Sequence, residues 1–144
     1  MTGPPAAIAA PALTFFVDRS LGSFMVPNAL RAAGWALETM DERFGSKRSP
    51  SIKDTQWIED AANRGDVILC KDLRIAVNPL EAAVVHRTSA RAFGLARRDI
   101  DGPTMVDYFL NHQAQIFGMA SRAEGPYVVS VSLNGLRRVR LRLA

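Results

Sequence analysis

Residues 54–75 read DTQWIEDAANRGDVILCKDLRI, and their pattern changes period half-way along. In the first half Trp57, Ile58 and Ala61 recur at the spacing of one helix face, Asp54 opens the run and Gly65 closes it. In the second half VILC (67–70) is a short apolar run between aspartates Asp66 and Asp72, which reads as a strand buried on both faces. A helix followed directly by a fully apolar strand is the repeating unit of a parallel sheet, and the strand ends on a carboxylate.

Working outward, the same unit recurs. LTFFV (13–17) is an apolar strand ended by Asp18, and SLGS (20–23) reads as a turn. Val26, Ala29, Leu30 and Ala33 are helically spaced, with Pro27 in the first turn and Gly34 as a stop. WALETM (35–40) is a second strand, and the polar stretch 41–53, DERFGSKRSPSIK, is expected to be a moving loop. After 67–70, a short link leads to a helix starting at Asn78-Pro79, then to the strand RAFGLA (91–96). Asp101-Gly-Pro103 starts one long helix carrying Met105, Phe109, His112, Ile116 and Ala120 on a face. YVVSVSL and LRRVRLRL flank Asn134-Gly135, a strong signal for a β-hairpin. The expected fold class is therefore α/β, with a mainly parallel sheet, helices on both faces and a C-terminal hairpin.

At 144 residues with 48% hydrophobic content, the chain is long enough for one domain with a real core. Residues 1–12 are small and Pro-rich, which predicts a flexible N-terminal tail ahead of a domain at 13–144. They lack the basic start and apolar core of a signal peptide, and no segment reaches the roughly 18 apolar residues of a membrane span. The single cysteine, Cys70, excludes an internal disulfide or a multi-Cys zinc site, fits a cytoplasmic location and reads as a buried thiol. No GxGxxG, Walker lysine, nucleophile elbow or Cys–His pairing is present, so dinucleotide, NTP and acyl-transfer chemistry are set aside. His112 and the two tryptophans read as core residues.

The charge of +4 is local. Arg137, Arg138, Arg140 and Arg142 fall in the last eight residues, leaving 14 basic and 14 acidic groups in residues 1–136. In the last strand Arg138, Arg140 and Arg142 alternate with Val139, Leu141 and Leu143. That row suits phosphate binding, and equally the protection of a sheet edge.

Ligands of open parallel sheets bind beyond the carboxyl ends of strands, where Asp18 and Asp72 both stand. Asp54 can approach the same edge. Three gathered carboxylates repel one another unless a cation neutralises them, and an all-oxygen set selects Mg²⁺ or Mn²⁺. Each aspartate could instead be only a turn former or helix cap. Lys71, Arg19 and Arg74 flank them as phosphate contacts or ordinary surface charges.

FFVDRSLG (15–22), AGWALETM (33–40) and the stretch 54–75 resemble the PIN-like domains, in particular the small branch of VapC-type toxins. Members share a strand ending in Asp, a D-x-x-W-[IL] helix start and a strand ending K-D-x-R-I; N-P-x-E at Asn78–Glu81 is similar too. The likeness runs from about Leu13 to Leu141. It implies a three-layer α/β/α fold and a metal-dependent endoribonuclease with Asp18, Asp54 and Asp72 as its acidic cluster. It also implies an RNA substrate, a cognate antitoxin that holds the enzyme inactive, and room for a homodimer. A fourth acidic residue is expected from the resemblance, with Glu81, Asp99 and Asp101 as candidates. A non-catalytic PIN-like module binding RNA or protein through its arginines, and a housekeeping RNA-processing nuclease without an antitoxin, are the alternatives.

Overall fold

A computed structural model of the chain describes residues 12–97 and 99–143. Of the expected N-terminal tail, all but Ala12 lies outside the described residues.

Six strands form one sheet: β1 (Phe15–Val17), β2 (Leu37–Thr39), β3 (Val67–Cys70), β4 (Arg91–Leu95), β5 (Tyr127–Ser132) and β6 (Gly135–Val139), in the order β2-β1-β3-β4-β5-β6. All neighbours are parallel except β5 and β6, which form the expected hairpin. From β1 the chain first steps outward to β2 and then returns to lay β3 on the other side of β1. The point where strand order reverses therefore lies between β1 and β3.

Period-two alternation divides the core into the two sides of an α/β/α sandwich. Phe15 and Val17 face a cluster with α1 (Met25–Ala32), α6 (Gly102–Asn111) and α7 (Gln113–Arg122); Val67, Leu69, Phe93, Val129 and Val131 join it. Phe16, Ile68, Cys70, Ala92 and Val128 face the opposite cluster, built by α2 (Met40–Phe44), α3 (Asp54–Asn63), α4 (Arg74–Val77) and α5 (Pro79–Thr88). Trp35 anchors the first cluster, Trp57 the second, and Cys70 is a buried free thiol, as expected.

Two expectations need correction. The stretch 41–53 is not one moving loop. Thr39 and Glu42 form a reciprocal capping box that starts α2, and a 3₁₀ turn follows at Ser49–Ser51. From α2 the Arg43 guanidinium then reaches Glu38, Asp60 and Asp66 and lies 4.3 Å from the Phe16 ring centroid. The helix expected from Asp101 onward is two helices, broken at His112. There φ is −118° and ψ 20°, and Nε2 donates to the Ser132 carbonyl 2.8 Å away, a tertiary bond that outweighs helix continuity. The expected opening of the helix at Asp54 holds, since Asp54 is its first residue and Lys53 its N-cap.

Candidate active site

The reversal between β1 and β3 gathers groups from four elements. β1 ends at Asp18, whose N–H donates to the Leu69 carbonyl at 2.9 Å and so keeps it in the ladder with β3. Its carboxylate accepts from the Ser20 hydroxyl at 2.7 Å, and Ser20 in turn accepts the Lys71 N–H at 3.2 Å. One hydroxyl thus stitches the two strand ends together. Asp72 follows β3 and accepts the Arg74 N–H at 2.9 Å, a tight side-chain turn that starts α4. The first residue of α3, Asp54, accepts from Trp57 Nε1 at 2.9 Å. Asn78 caps α5 through the N–H groups of Leu80 and Glu81, which sets Glu81 in the first turn with only 7% of its surface exposed.

Asp18, Asp54, Asp72 and Glu81 line one cavity of about 180 Å³, together with Ser20 and Arg74. The other two candidates for a fourth acid are spent elsewhere: Asp99 pairs with Arg97, and Asp101 caps α6 through the Thr104 N–H. Lys71 does not line the cavity; its backbone serves the Ser20 bridge. Arg74 has a largely exposed side chain with Nε 3.9 Å from Glu81. Arg19 lines the cavity too, with its guanidinium engaged by backbone carbonyls. Its guanidinium donates to the Ser49 and Ile52 carbonyls, at 3.1 and 2.6 Å, and holds the segment that delivers Asp54 against the end of β1.

The cavity is electrostatically costly. Burial pushes the Asp18 carboxyl upward, the Asp54 charge adds to this, and the Ser20 hydrogen bond opposes it. Glu81 is raised from 4.5 to about 7, first by burial and then by Asp54, with Asp18 and Asp72 adding and Arg74 opposing. Burial, followed by the charges of Asp18 and Asp72, drives the Cys70 thiol well above its ordinary range, which excludes it as a thiolate nucleophile at neutral pH. Oxygen donors whose repulsion favours extra protons suit a hard divalent cation, so the residues fit Mg²⁺ or Mn²⁺. Among the described residues, however, no three His, Cys, Asp or Glu side chains are arranged as a ready-made metal cluster.

A profile of the family described as "PIN like domain" matches residues 13–97, more than half of the chain. The chain belongs to the PIN-like domain family. It is 37% identical over 124 residues, 86% of its own length and 89% of the relative's, to "Putative ribonuclease VapC45" of Mycobacterium tuberculosis (strain ATCC 25618 / H37Rv). The expected resemblance to the VapC-type branch therefore holds. No solved structure matches this PIN-like domain.

Gly94 belongs to the site although the residue carries no chemistry. A Cβ added there would collide with the Asp72 carbonyl oxygen and press on Leu73, so the turn holding Asp72 packs directly on bare β4 backbone. A glycine inside the strand RAFGLA was the available signal, because such a glycine marks a close backbone approach. Gly94→Ala is expected to cost about 1 to 3 kcal/mol by overpacking and to displace Asp72. Urea denaturation reads the first effect, and Mn²⁺ affinity reads the second.

Glu81 makes stability depend on pH. Its folded value of about 7 lies above the usual 4.5, so between these limits the folded protein binds more protons than the unfolded chain. Stability of the metal-free protein should therefore fall as pH rises through that window. The loss is about 1 to 2 kcal/mol after allowance for solvent screening, and is complete above about 7. Denaturation midpoints of the wild type against Glu81→Gln across this range check it; the variant should lose most of the slope.

Proposed function

We propose that this PIN-like domain is a metal-dependent endoribonuclease, the toxin of a VapBC-type toxin–antitoxin pair, hydrolysing RNA phosphodiester bonds in the cytoplasm. The observation that carries the reading is the convergence of Asp18, Asp54, Asp72 and Glu81 on one cavity at the sheet's strand-order reversal. The relative named as a ribonuclease, similar over most of both chains, supports it.

Asp18, Asp54 and Asp72 would hold Mg²⁺ or Mn²⁺, and Glu81 would be the fourth acidic group. A bound ion would lower the pKa of an attacking water and offset charge developing on the phosphate. Ser20 keeps Asp18 oriented. Arg74, exposed at the rim, is the guanidinium best able to grip a phosphate. Lys71 would contact phosphate only from outside the cavity. A cognate antitoxin would inhibit by laying a basic side chain on these carboxylates in the place of the cation. A homodimer is compatible with the reading.

Calorimetric titration of Mn²⁺ into the wild type and into Asp72→Ala tests the metal site, followed by RNA cleavage assays with both. Saturable binding lost in the variant, with cleavage by the wild type alone, supports the reading. An absence of binding to the wild type, with and without RNA, would sink it. The absence of a ready-made cluster of three ligands among the described residues favours the second reading, a non-catalytic module. Under that reading Asp72→Ala leaves function intact and arginine substitutions abolish it.

A further inference from the structure

A cavity lined by four carboxylates repels the substrate that the proposed activity requires. The attraction for a polyanion must come from elsewhere on the surface. Residues 1–136 carry no net charge, so the whole excess of +4 lies on Arg137, Arg138, Arg140 and Arg142. All four are exposed, and among the described residues none forms an ion pair.

The placement of Arg140 and Arg142 ties them to the site. β6 is the outer strand of the sheet, with Val139 and then Leu141 packed against the α4/α5 side of the core. Beyond β6 the chain runs on to α4, where the Arg142 N–H donates to the Ala76 carbonyl at 2.8 Å. Ala76 is two residues from Arg74, which lines the acidic cavity. Next to this junction Arg140, Leu141, Arg142, Leu143 and Val77 line a groove of about 610 Å³, open and far larger than the acidic cavity. Arg138 stands apart from the groove, because it pairs with Val129 and its guanidinium sits 5.1 Å from the Tyr127 ring centroid, on the α1/α6/α7 side of the sheet. Arginines two residues apart on extended chain stand roughly 6.6 Å apart along it. That step is one that successive phosphates of an extended single strand can follow.

We infer that the arginines at this junction, from Arg74 through Arg142 to Arg140, are the track that holds the backbone of single-stranded RNA beside the acidic cavity. The apolar side chains of Val77 and Leu143 give unstacked bases a surface to lie on. The inference rests on the ribonuclease reading for the identity of the ligand, and its binding is separable from cleavage.

The test measures binding of an unstructured fluorescent oligoribonucleotide to the full chain by anisotropy. It is run without divalent metal, so that nothing is cleaved, across about 50 to 200 mM salt. Arg140→Gln/Arg142→Gln is compared with Arg64→Gln/Arg122→Gln, which removes equal charge away from the track, and thermal melts confirm that both fold. The track predicts that the first variant alone loses about tenfold or more in affinity. It also predicts that its slope of log K against log salt flattens by about 1.4, the value for two lost single-strand phosphate contacts. Equal affinity in both variants, or equal loss in both, overturns the inference. Polyglutamate binding the wild type more tightly than RNA does, with the dependence on Arg140 and Arg142 belonging to polyglutamate, also overturns it and assigns the groove to an acidic protein partner. Wild-type cleavage with unchanged RNA affinity in the variant would sink the track and leave the nuclease. Track-dependent binding with no cleavage under any metal would do the reverse.

Discussion

Asp18→Asn is expected to lower RNA cleavage by about 10²- to 10³-fold while making the metal-free protein more stable. The two effects have one cause. Asp18 is disfavoured as an anion by burial and by the charge of Asp54, so the neutral amide relieves repulsion that the empty-handed fold must bear. The amide oxygen can still accept the Ser20 hydrogen bond, which keeps the strand ends joined. Adding Mn²⁺ should reverse the ranking. At an excess of about 100-fold over Kd the wild type gains about 2.7 kcal/mol from ligand binding and the variant little. Melting curves with and without Mn²⁺ read both signs. A wild type that melts higher than Asp18→Asn in EDTA would show that the carboxylates do not oppose one another as described.

Arg43→Met is expected to cost about 3 to 5 kcal/mol, the largest stability loss of any substitution considered. The Arg43 side chain is 5% exposed and pairs with Asp66, itself 6% exposed, at 2.8 Å, as well as with Glu38 and Asp60. Truncation leaves Asp66 buried with only the Thr14 hydroxyl as a partner. The double variant Arg43→Met/Asp66→Asn should recover a large part of the loss, because no unpaired charge then remains inside. Denaturant midpoints of the two single variants and the double close the cycle. A near-zero cost for Arg43→Met would show that the network is surface decoration and that α2 is held by its capping box alone. The network lies at the sheet end opposite the carboxylate cavity, so metal affinity per folded molecule should not change.

Much of this was legible in the chain itself. Apolar runs of four or five residues, alternating along the chain with helical spacing and two of them followed by aspartate, require a parallel sheet, because only strands buried on both faces can be apolar throughout. The Asn134-Gly135 hairpin and the caps at Asn78 and Asp101 depend on contacts a few residues long, and they stand where the pattern predicts. Local pattern fails to determine structure where distant partners overrule local preference. The polar stretch 41–53 orders because Arg43 finds three carboxylates brought in by β2, α3 and the start of β3. The helix expected from Asp101 breaks because His112 meets a carbonyl in β5.

The site divides in the same way. Sequence alone determined that Asp18 and Asp72 stand at strand ends on one edge of a parallel sheet, since strand direction and length follow from local pattern. Only the tertiary structure decided that Asp54 and Glu81 share their cavity, that Asp99 and Asp101 do not, and that Arg19, which lines it as well, braces the backbone that delivers Asp54. Those facts depend on strand order and on how helices from distant parts of the chain are set down around β1 and β3. Residue spacing along a chain carries no direct record of that placement.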